Sequence, residues 1–210
     1  MIYLDSAIAT EASQAMAWGW VKGITTNPTL LAKSDTEPAA TLKTLANITD
    51  GELYYQLVGQ TLDDMIREAH KAKDLVGEQL VLKIPATATG FAALPKLSSE
   101  ITCSVTAIYH PTQALIAAEG GAKYAIAYVN RATRFQGDGC ELVSSMKTIL
   151  QGSETTILAA SLKSPAEINA AMVAGADHIT VPFGLLQTMT THSLSEQTVK
   201  DFTAIGQGLI

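Results

Sequence analysis

The segment QLVLKIP, Gln79–Pro85, decides how the chain folds. It is a short, strongly apolar run with a single lysine, Lys83, set inside it. Runs of the same kind recur along the whole sequence: Met1–Leu4, Gly23–Thr25, Leu53–Leu57, Leu80–Ile84, Ile101–Val105, Tyr124–Val129, Thr156–Ala160 and His178–Val181. Each has the usual length of a β-strand, about 4–6 residues. Most are apolar without alternation, as expected of parallel strands buried on both faces.

Helical patterns fill the intervals. Thr61–Leu75 sets Leu62, Met65, Ile66, Ala69, Ala72 and Leu75 on one face at spacings of three and four. Thr61 stands at its start, with Asp63 and Asp64 near the positive end of the helix dipole. Pro111 opens a helix over Thr112–Glu119 that Gly120-Gly121 ends. Ser164-Pro165 opens another that runs to Gly175, a residue suited to the left-handed position after a helix. Eight strand–helix units in about 190 residues, with no linker, predict one domain, residues 1–210, folded as a closed (β/α)8 TIM barrel. A doubly wound open sheet is the alternative, and such sheets seldom carry eight even repeats. A last helical stretch, Ser195–Gly206, follows the eighth unit as an additional C-terminal helix. It is expected to lie outside the barrel, against its surface or on a neighbouring subunit.

Composition narrows the function classes. The chain of 210 residues is 47% apolar and 16% charged, with a net charge of −6. That charge argues against nucleic-acid binding, which needs a basic stripe, but not against a small anionic substrate held by a few cations in one pocket. No run reaches the roughly 18 apolar residues of a membrane span, and MIYLDSAIAT lacks the regions of a signal peptide. Two thiols, Cys103 and Cys140, fit a reducing cytosol, and a cytoplasmic protein is expected. The low charged fraction hints at a buried face in a homo-oligomer. The four histidines show no metal-binding spacing, and neither a nucleophile elbow nor a phosphate-binding loop occurs, so no metal and no cofactor are expected. Cys103 and Cys140 read as packed apolar residues, and Trp18 and Trp20 as packing or interface residues.

Barrel active sites form where the strands end, and here the strand ends are polar. The first leads to Asp5 and the second to Thr25, Thr26 and Asn27 before Pro28. The third ends at Gln56, the fourth reaches Lys83, and the fifth is followed by Thr106. The sixth runs into Tyr128, Asn130 and Arg131, and the seventh into Ser161 with Lys163 close behind. Seven such groups converging on one rim would line a polar pocket.

Lys83 is the most informative of them. Lysine is almost never fully buried without a partner. Taking an ammonium out of water favours the neutral amine, which can attack a carbonyl and form a Schiff base. Taken alone, a lysine paired with a carboxylate or reaching solvent explains it as well. Asp5 is a base or a hydroxyl-binding group, or else a helix cap. Asn27 is a hydrogen-bonding residue or a turn residue before Pro28. Gln56, Thr106 and Tyr128 could jointly hold one water for proton transfer, although each alone reads as a satisfied buried polar residue. Arg131, through its planar fork, and Ser161 could grip a phosphate, with Lys163 adding charge beside a helix N-terminus.

Six segments, in order, carry a family resemblance: YLD at Tyr3–Asp5, GITTNP at Gly23–Pro28, VLKIPAT at Val81–Thr87, VTAIY at Val105–Tyr109, AYVNR at Ala127–Arg131 and LAASLKSP at Leu158–Pro165. Together they span essentially the whole chain, which resembles the transaldolase family and in particular its short branch of fructose-6-phosphate aldolases and small transaldolases. The resemblance implies a sugar-phosphate substrate, carbohydrate metabolism of the pentose phosphate kind, and a Schiff base on Lys83. It implies substrate-hydroxyl contacts at Asp5 and Asn27, a catalytic water near Thr106, and a phosphate grip at Arg131, Ser161 and Lys163. Small members of the family form decamers.

Two positions divide that family. Transaldolases proper look to carry Glu on the third strand and Phe after the sixth, whereas the aldolase branch carries Gln and Tyr, as Gln56 and Tyr128 do here. A tyrosine hydroxyl can orient a proton-donating water and a phenylalanine cannot. The first expectation is therefore reversible cleavage of fructose 6-phosphate to dihydroxyacetone and glyceraldehyde 3-phosphate. Transfer of the same three-carbon unit between sugar phosphates is the second, and a phosphosugar-binding barrel or isomerase that makes no Schiff base is the third. Ser104, two residues before Thr106, matches neither the Asn of transaldolases nor the apolar residue of the aldolase branch. It is counted with Thr25 and Asn130 among the substrate contacts.

Overall fold

Eight parallel strands close into a barrel in chain order, β1 next to β2 and so on round to β8, which pairs with β1. The computed structural model describes residues 1–209. The strands are β1 Ile2–Asp5, β2 Val21–Thr25, β3 Glu52–Gln56, β4 Leu80–Pro85, β5 Thr102–Ile108, β6 Tyr124–Tyr128, β7 Thr156–Ala160 and β8 His178–Val181. The helices are α1 Ala9–Ala17, α2 Pro28–Leu31, α3 Pro38–Ile48, α4 Leu62–Val76, α5 Ala88–Leu97, α6 Pro111–Glu119, α7 Val129–Gln136, α8 Gly139–Ile149, α9 Pro165–Val173, α10 Phe183–Met189 and α11 Ser193–Ile205. Closure removes the open doubly wound sheet. Among the described residues no helix is long and apolar enough to cross a membrane.

Several predicted elements shift. The fifth strand continues through Thr106 to Ile108, so Thr106 lies within it and not after it. Its pairing with β6 shifts register between Val105 and Ile108, and Ala107 there has a φ of 61°. The sixth strand stops at Tyr128, so Asn130 and Arg131 sit in the first turn of α7. The first helix begins at Ala9 with Ile8 at its cap position, so Asp5 is not a helix cap. Thr61 caps α4 by accepting from the Asp64 N–H at 3.2 Å, and the buried stripe of α4 is Met65, Ala69, Ala72 and Val76. Gly175 takes the left-handed conformation expected of it, at φ 111°.

Each strand sends alternate side chains to two places. Outward go Leu4, Ile24, Leu53, Leu82, Val105, Ala127, Ile157 and Ile179, which pack with the helices in the main core. Inward go Tyr3, Tyr54, Val81, Tyr124, Ile126, Leu158 and Ala160, a separate buried cluster that fills the barrel's interior. Toward the N-terminal ends of the strands this filling is organised round one carboxylate. Glu52 accepts hydrogen bonds from the hydroxyls of Tyr3 (2.7 Å), Tyr54 (2.9 Å) and Tyr124 (2.8 Å), and from Lys123 Nζ (2.8 Å). The ring of His178 stands edge-on to Tyr3 and Tyr124. Burial pushes the Glu52 carboxyl up, but the bonds from Lys123, Tyr3, Tyr124 and Tyr54 outweigh it and hold the group below the usual carboxylate range.

The last helix stands apart. None of the side chains of α11 is buried, and Leu194, Val199, Phe202 and Ile205 are exposed.

A carboxyl held below its unfolded-state pKa stabilises the fold at neutral pH, and that contribution is lost as the pH falls from about 4.3 through the folded value. Glu52→Gln removes charge-assisted bonds worth about 2 kcal/mol in sum, which for a chain of this size is a melting-temperature loss of roughly 4–8 °C at pH 7. In melts followed by circular dichroism across pH, the gap between wild type and variant should narrow below about pH 4. A gap that is constant down to pH 3 would contradict the role given to the carboxylate.

Candidate active site

Continued alternation carries a second set of inward residues to the C-terminal ends of the strands: Asp5, Thr25, Gln56, Lys83, Ser104, Thr106, Tyr128 and Thr180. The register sets Gln56 on β3 and Ser104 on β5 on either side of Lys83 on β4. The group is thus assembled by seven of the eight short strands, with no long loop needed.

Lys83 is only 3% exposed. Its Nζ donates to the carbonyl oxygen of Thr26 at 2.8 Å, and among the described residues no carboxylate forms a salt bridge with it. The carboxylate-paired and solvent-reaching explanations both fall away. Ser104, fully buried, donates to the carbonyl of Leu82 at 2.8 Å and so ties β5 to β4 directly beside the lysine.

Two polar groups flank it. On one side Thr25 Oγ1 donates to Asp5 Oδ1 at 2.8 Å and lies 2.6 Å from the hydroxyl of Thr180, so that Asp5 is fixed by β2 rather than by a helix end. On the other side Thr106 Oγ1 donates to the Tyr128 hydroxyl at 3.3 Å, which leaves the phenolic hydrogen free for another acceptor. Gln56 Oε1 is buried without a partner, and a buried acceptor of that kind calls for a water or a ligand. A cavity of about 370 Å³ opens on the turns after β3 and β4, lined by Gln56, Val58, Gln60, Pro85, Thr87 and Thr89; Lys83, Thr106 and Tyr128 are not part of its lining. A larger hollow of about 460 Å³, bordered by Lys147, Gln151, Thr156 and Asp177, lies at the opposite end of the strands, away from the polar rim.

The outer predicted residues lie on the rim. Asn27 does cap a helix, since its Oδ1 accepts from the Leu30 N–H at 3.0 Å, while its amide NH2 has no partner among the described residues. Arg131 places its guanidinium over the Tyr128 ring, 4.9 Å from the centroid, and Tyr109 stands edge-on to the same ring at 6.1 Å. Arg131 is exposed and makes no salt bridge among the described residues. Ser161 follows β7 with a φ of 60°. Its carbonyl accepts from the Asn130 N–H at 3.2 Å, which joins the β6–α7 and β7–α9 turns. The Asn130 side chain donates to Glu167 Oε1 at 2.7 Å, so its amide nitrogen serves that link. Lys163 is exposed just before Ser164, whose hydroxyl caps α9.

Thr180 and Glu167 escaped the sequence reading. Glu167 was legible in principle, because Ser164-Pro-Ala-Glu167 has the spacing of a capping box. The cysteines are as expected: Cys103 is buried and burial pushes its thiol up to about 12. Trp18 stacks on Trp20 at 5.2 Å and on Phe183 at 5.5 Å. No group of three or more His, Cys, Asp and Glu side chains among the described residues could hold a metal ion.

Residues 2–208 match the family model described as transaldolase/fructose-6-phosphate aldolase. The chain is 38% identical over 205 residues to a protein of Coprothermobacter proteolyticus named a probable transaldolase, with 96% of this chain and 94% of that one covered. Proteins of the same name from Aquifex aeolicus (36% identical, 92% and 90% covered) and Thermoplasma volcanium (35%, 96% and 92%) are similar throughout. Among solved structures, a mandelate oxidase mutant with a monooxide FMN adduct superposes with a TM-score of 0.63 at 13% identity, covering 87% of this chain and 64% of that one. This chain thus spans under two thirds of that structure, and the likeness shows the barrel alone.

A guanidinium without a salt bridge among the described residues, on a turn joined through the Asn130 N–H to that of Ser161 and near the capped start of α9, suits an anion. Inorganic phosphate at ten times its dissociation constant should stabilise the wild-type protein by about 1.4 kcal/mol, read as a rise in melting temperature. Arg131→Ala should remove most of that rise; an undiminished rise would exclude Arg131 from the anion site.

Proposed function

The chain belongs to the transaldolase/fructose-6-phosphate aldolase family, and on that premise we propose that it is a class I aldolase that cleaves and forms fructose 6-phosphate through a Schiff base on Lys83. The observation that carries this is the lysine itself, buried at 3% exposure and, among the described residues, hydrogen-bonded to a backbone carbonyl and paired with no carboxylate. Such a side chain is shielded from water, and an amine in its place can add to a ketose carbonyl that enters the barrel mouth.

The chemistry follows from the groups around it. The Lys83 amine adds to the ketose carbonyl and water leaves, giving a protonated imine. Asp5 takes the proton from the hydroxyl on carbon four. The electron pair of the bond between carbons three and four moves into the imine, which becomes an enamine, and glyceraldehyde 3-phosphate leaves. A water held by Gln56, Thr106 and Tyr128 passes the proton now on Asp5 to the enamine carbon, and hydrolysis of the resulting imine frees dihydroxyacetone and the amine. Asn27, with its free amide NH2, binds a substrate hydroxyl, Thr25 keeps Asp5 in place, and Ser104 shapes the wall beside the imine. Arg131, Ser161 and Lys163 receive the phosphate, and Asn130 braces them. The partnerless Gln56 Oε1 and the Thr106–Tyr128 pair support the water site.

Transfer of the enamine to a second aldehyde is the competing outcome, and the names of the relatives, each a probable transaldolase, favour it. The protein acts in the cytoplasm as a homo-oligomer; the bare apolar side chains of α11 support the latter, and the family suggests a decamer.

Borohydride reduction in the presence of dihydroxyacetone should fix one three-carbon adduct, which peptide mass mapping should find on Lys83. An adduct elsewhere, or none, would end the Schiff-base proposal. Tyr128→Phe should lower aldol cleavage by about 10²-fold and lower transfer to erythrose 4-phosphate far less. Equal losses would leave the phenol without a part in protonation.

A further inference from the structure

Ser161 is held in a conformation that a serine resists, and the groups that hold it form a closed set. Its φ of 60° costs a residue with a Cβ roughly 1–2 kcal/mol. Its carbonyl is tied to the Asn130 N–H at 3.2 Å. The Asn130 side chain passes to Glu167 Oε1 at 2.7 Å, and Glu167 Oε2 accepts from the Lys163 N–H at 2.8 Å. Ser164 Oγ closes the ring by accepting from the Glu167 N–H at 3.2 Å. The carboxylate therefore does not turn back to its own cap residue, as it would in a capping box. It reaches past Ser164 and grasps both the residue before it and the neighbouring turn.

A negative charge at this place works against the binding of an anion, so charge cannot be the reason for it. Its use is geometric. Two N–H donors converge from two different turns, and only a carboxylate offers an acceptor oxygen to each. A glutamine would keep one bond and set its own NH2 against the other donor.

We infer that Glu167, acting with Asn130, is a positioning residue for the phosphate grip: it locks the Ser161–Ser164 turn onto the start of α7, so that the Ser161 hydroxyl and the Arg131 guanidinium meet one phosphate group. The inference rests on the proposed phosphate site and gives it a part that neither charge nor contact with substrate would suggest. It places Glu167 outside the chemistry, because both of its oxygens are engaged in holding the two turns together.

Glu167→Gln separates the two effects by sign. Relief of like charge alone would lower KM for a phosphorylated substrate. Loss of the lock raises it, by about tenfold for a displacement well under an ångström. The measurement is aldol addition of dihydroxyacetone to glyceraldehyde 3-phosphate and to unphosphorylated glyceraldehyde, with kcat and KM for each. The expected result is a raised KM for the phosphorylated aldehyde alone, with kcat and the unphosphorylated reaction within about twofold. Asn130→Ala should give the same split, and the double variant no more than the larger single effect. A KM that falls or stays constant, or losses equal for both aldehydes, overturns the inference. Arg131→Ala distinguishes the failures. If it raises KM for the phosphorylated aldehyde and Glu167→Gln does not, only the positioning role is lost; if neither does, the phosphate site itself is misplaced.

Discussion

In a closed barrel a strand residue has only two destinations, the interior or the helical shell, and there is no edge at which a misfit can be left. The interior of this protein depends on how that constraint is met at the N-terminal ends of the strands. Three tyrosine rings and Val81, Ile126 and Leu158 fill the space, and the ring hydroxyls need acceptors. Glu52 supplies them from a single position, with Lys123 balancing its charge. A half-buried carboxylate with three phenols and an ammonium round it is satisfied, whereas any one of those partners alone would leave it costly. The bottom of the barrel is thereby closed and rigid, which leaves the C-terminal ends of the same strands free to carry polar residues that contribute little to packing.

Those upper residues are kept at a cost. Lys83 gives up its hydration for one carbonyl bond, and Gln56 Oε1 is buried with no bond at all. Groups left so poorly partnered cost about 1–3 kcal/mol each, a large share of a net stability of about 5–15 kcal/mol. Packing does not need a lysine or a glutamine there; apolar residues would pack better. That inward-facing groups of adjacent strands, Gln56 on β3 and Lys83 on β4, are under-satisfied side by side points to a ligand as the missing partner.

How far this could be read from the sequence varies with the kind of signal. The strands were legible because parallel strands buried on both faces are apolar throughout, and two of the eight have their predicted bounds, Thr156–Ala160 and His178–Val181. Lys83 was legible as an anomaly within such a run. What was not legible is direction. Thr106 read as a residue beyond its strand, because nothing in VTAIY announces the register shift that Ala107 introduces. Thr180 passed as an ordinary strand residue, although its inward position ties it to Thr25 and so to Asp5. Asn130 and Glu167 are separated by 36 intervening positions and meet only because β6 and β7 are neighbours in the sheet; pairings of that kind belong to topology.

The two residues with left-handed backbones and a side chain, Ala107 and Ser161, belong to the same problem. Glycine would adopt either conformation without strain, but it would also adopt many others, and the neighbouring side chains would then lose their aim. Ala107 follows Thr106, whose hydroxyl must reach Tyr128 and whose carbonyl accepts from the Ala86 N–H at 2.9 Å. Ser161 starts the turn that Asn130 and Glu167 clamp. In both cases hydrogen bonds from an adjacent strand or turn offset a strain of roughly 1–2 kcal/mol. The return is a single direction for Thr106 at the proposed water site and for Ser161 at the proposed phosphate site. Strain at these two points, and at no other non-glycine residue among those described, is the backbone's counterpart to the partnerless side chains of Lys83 and Gln56: each is tolerated where the geometry must be fixed before the substrate arrives.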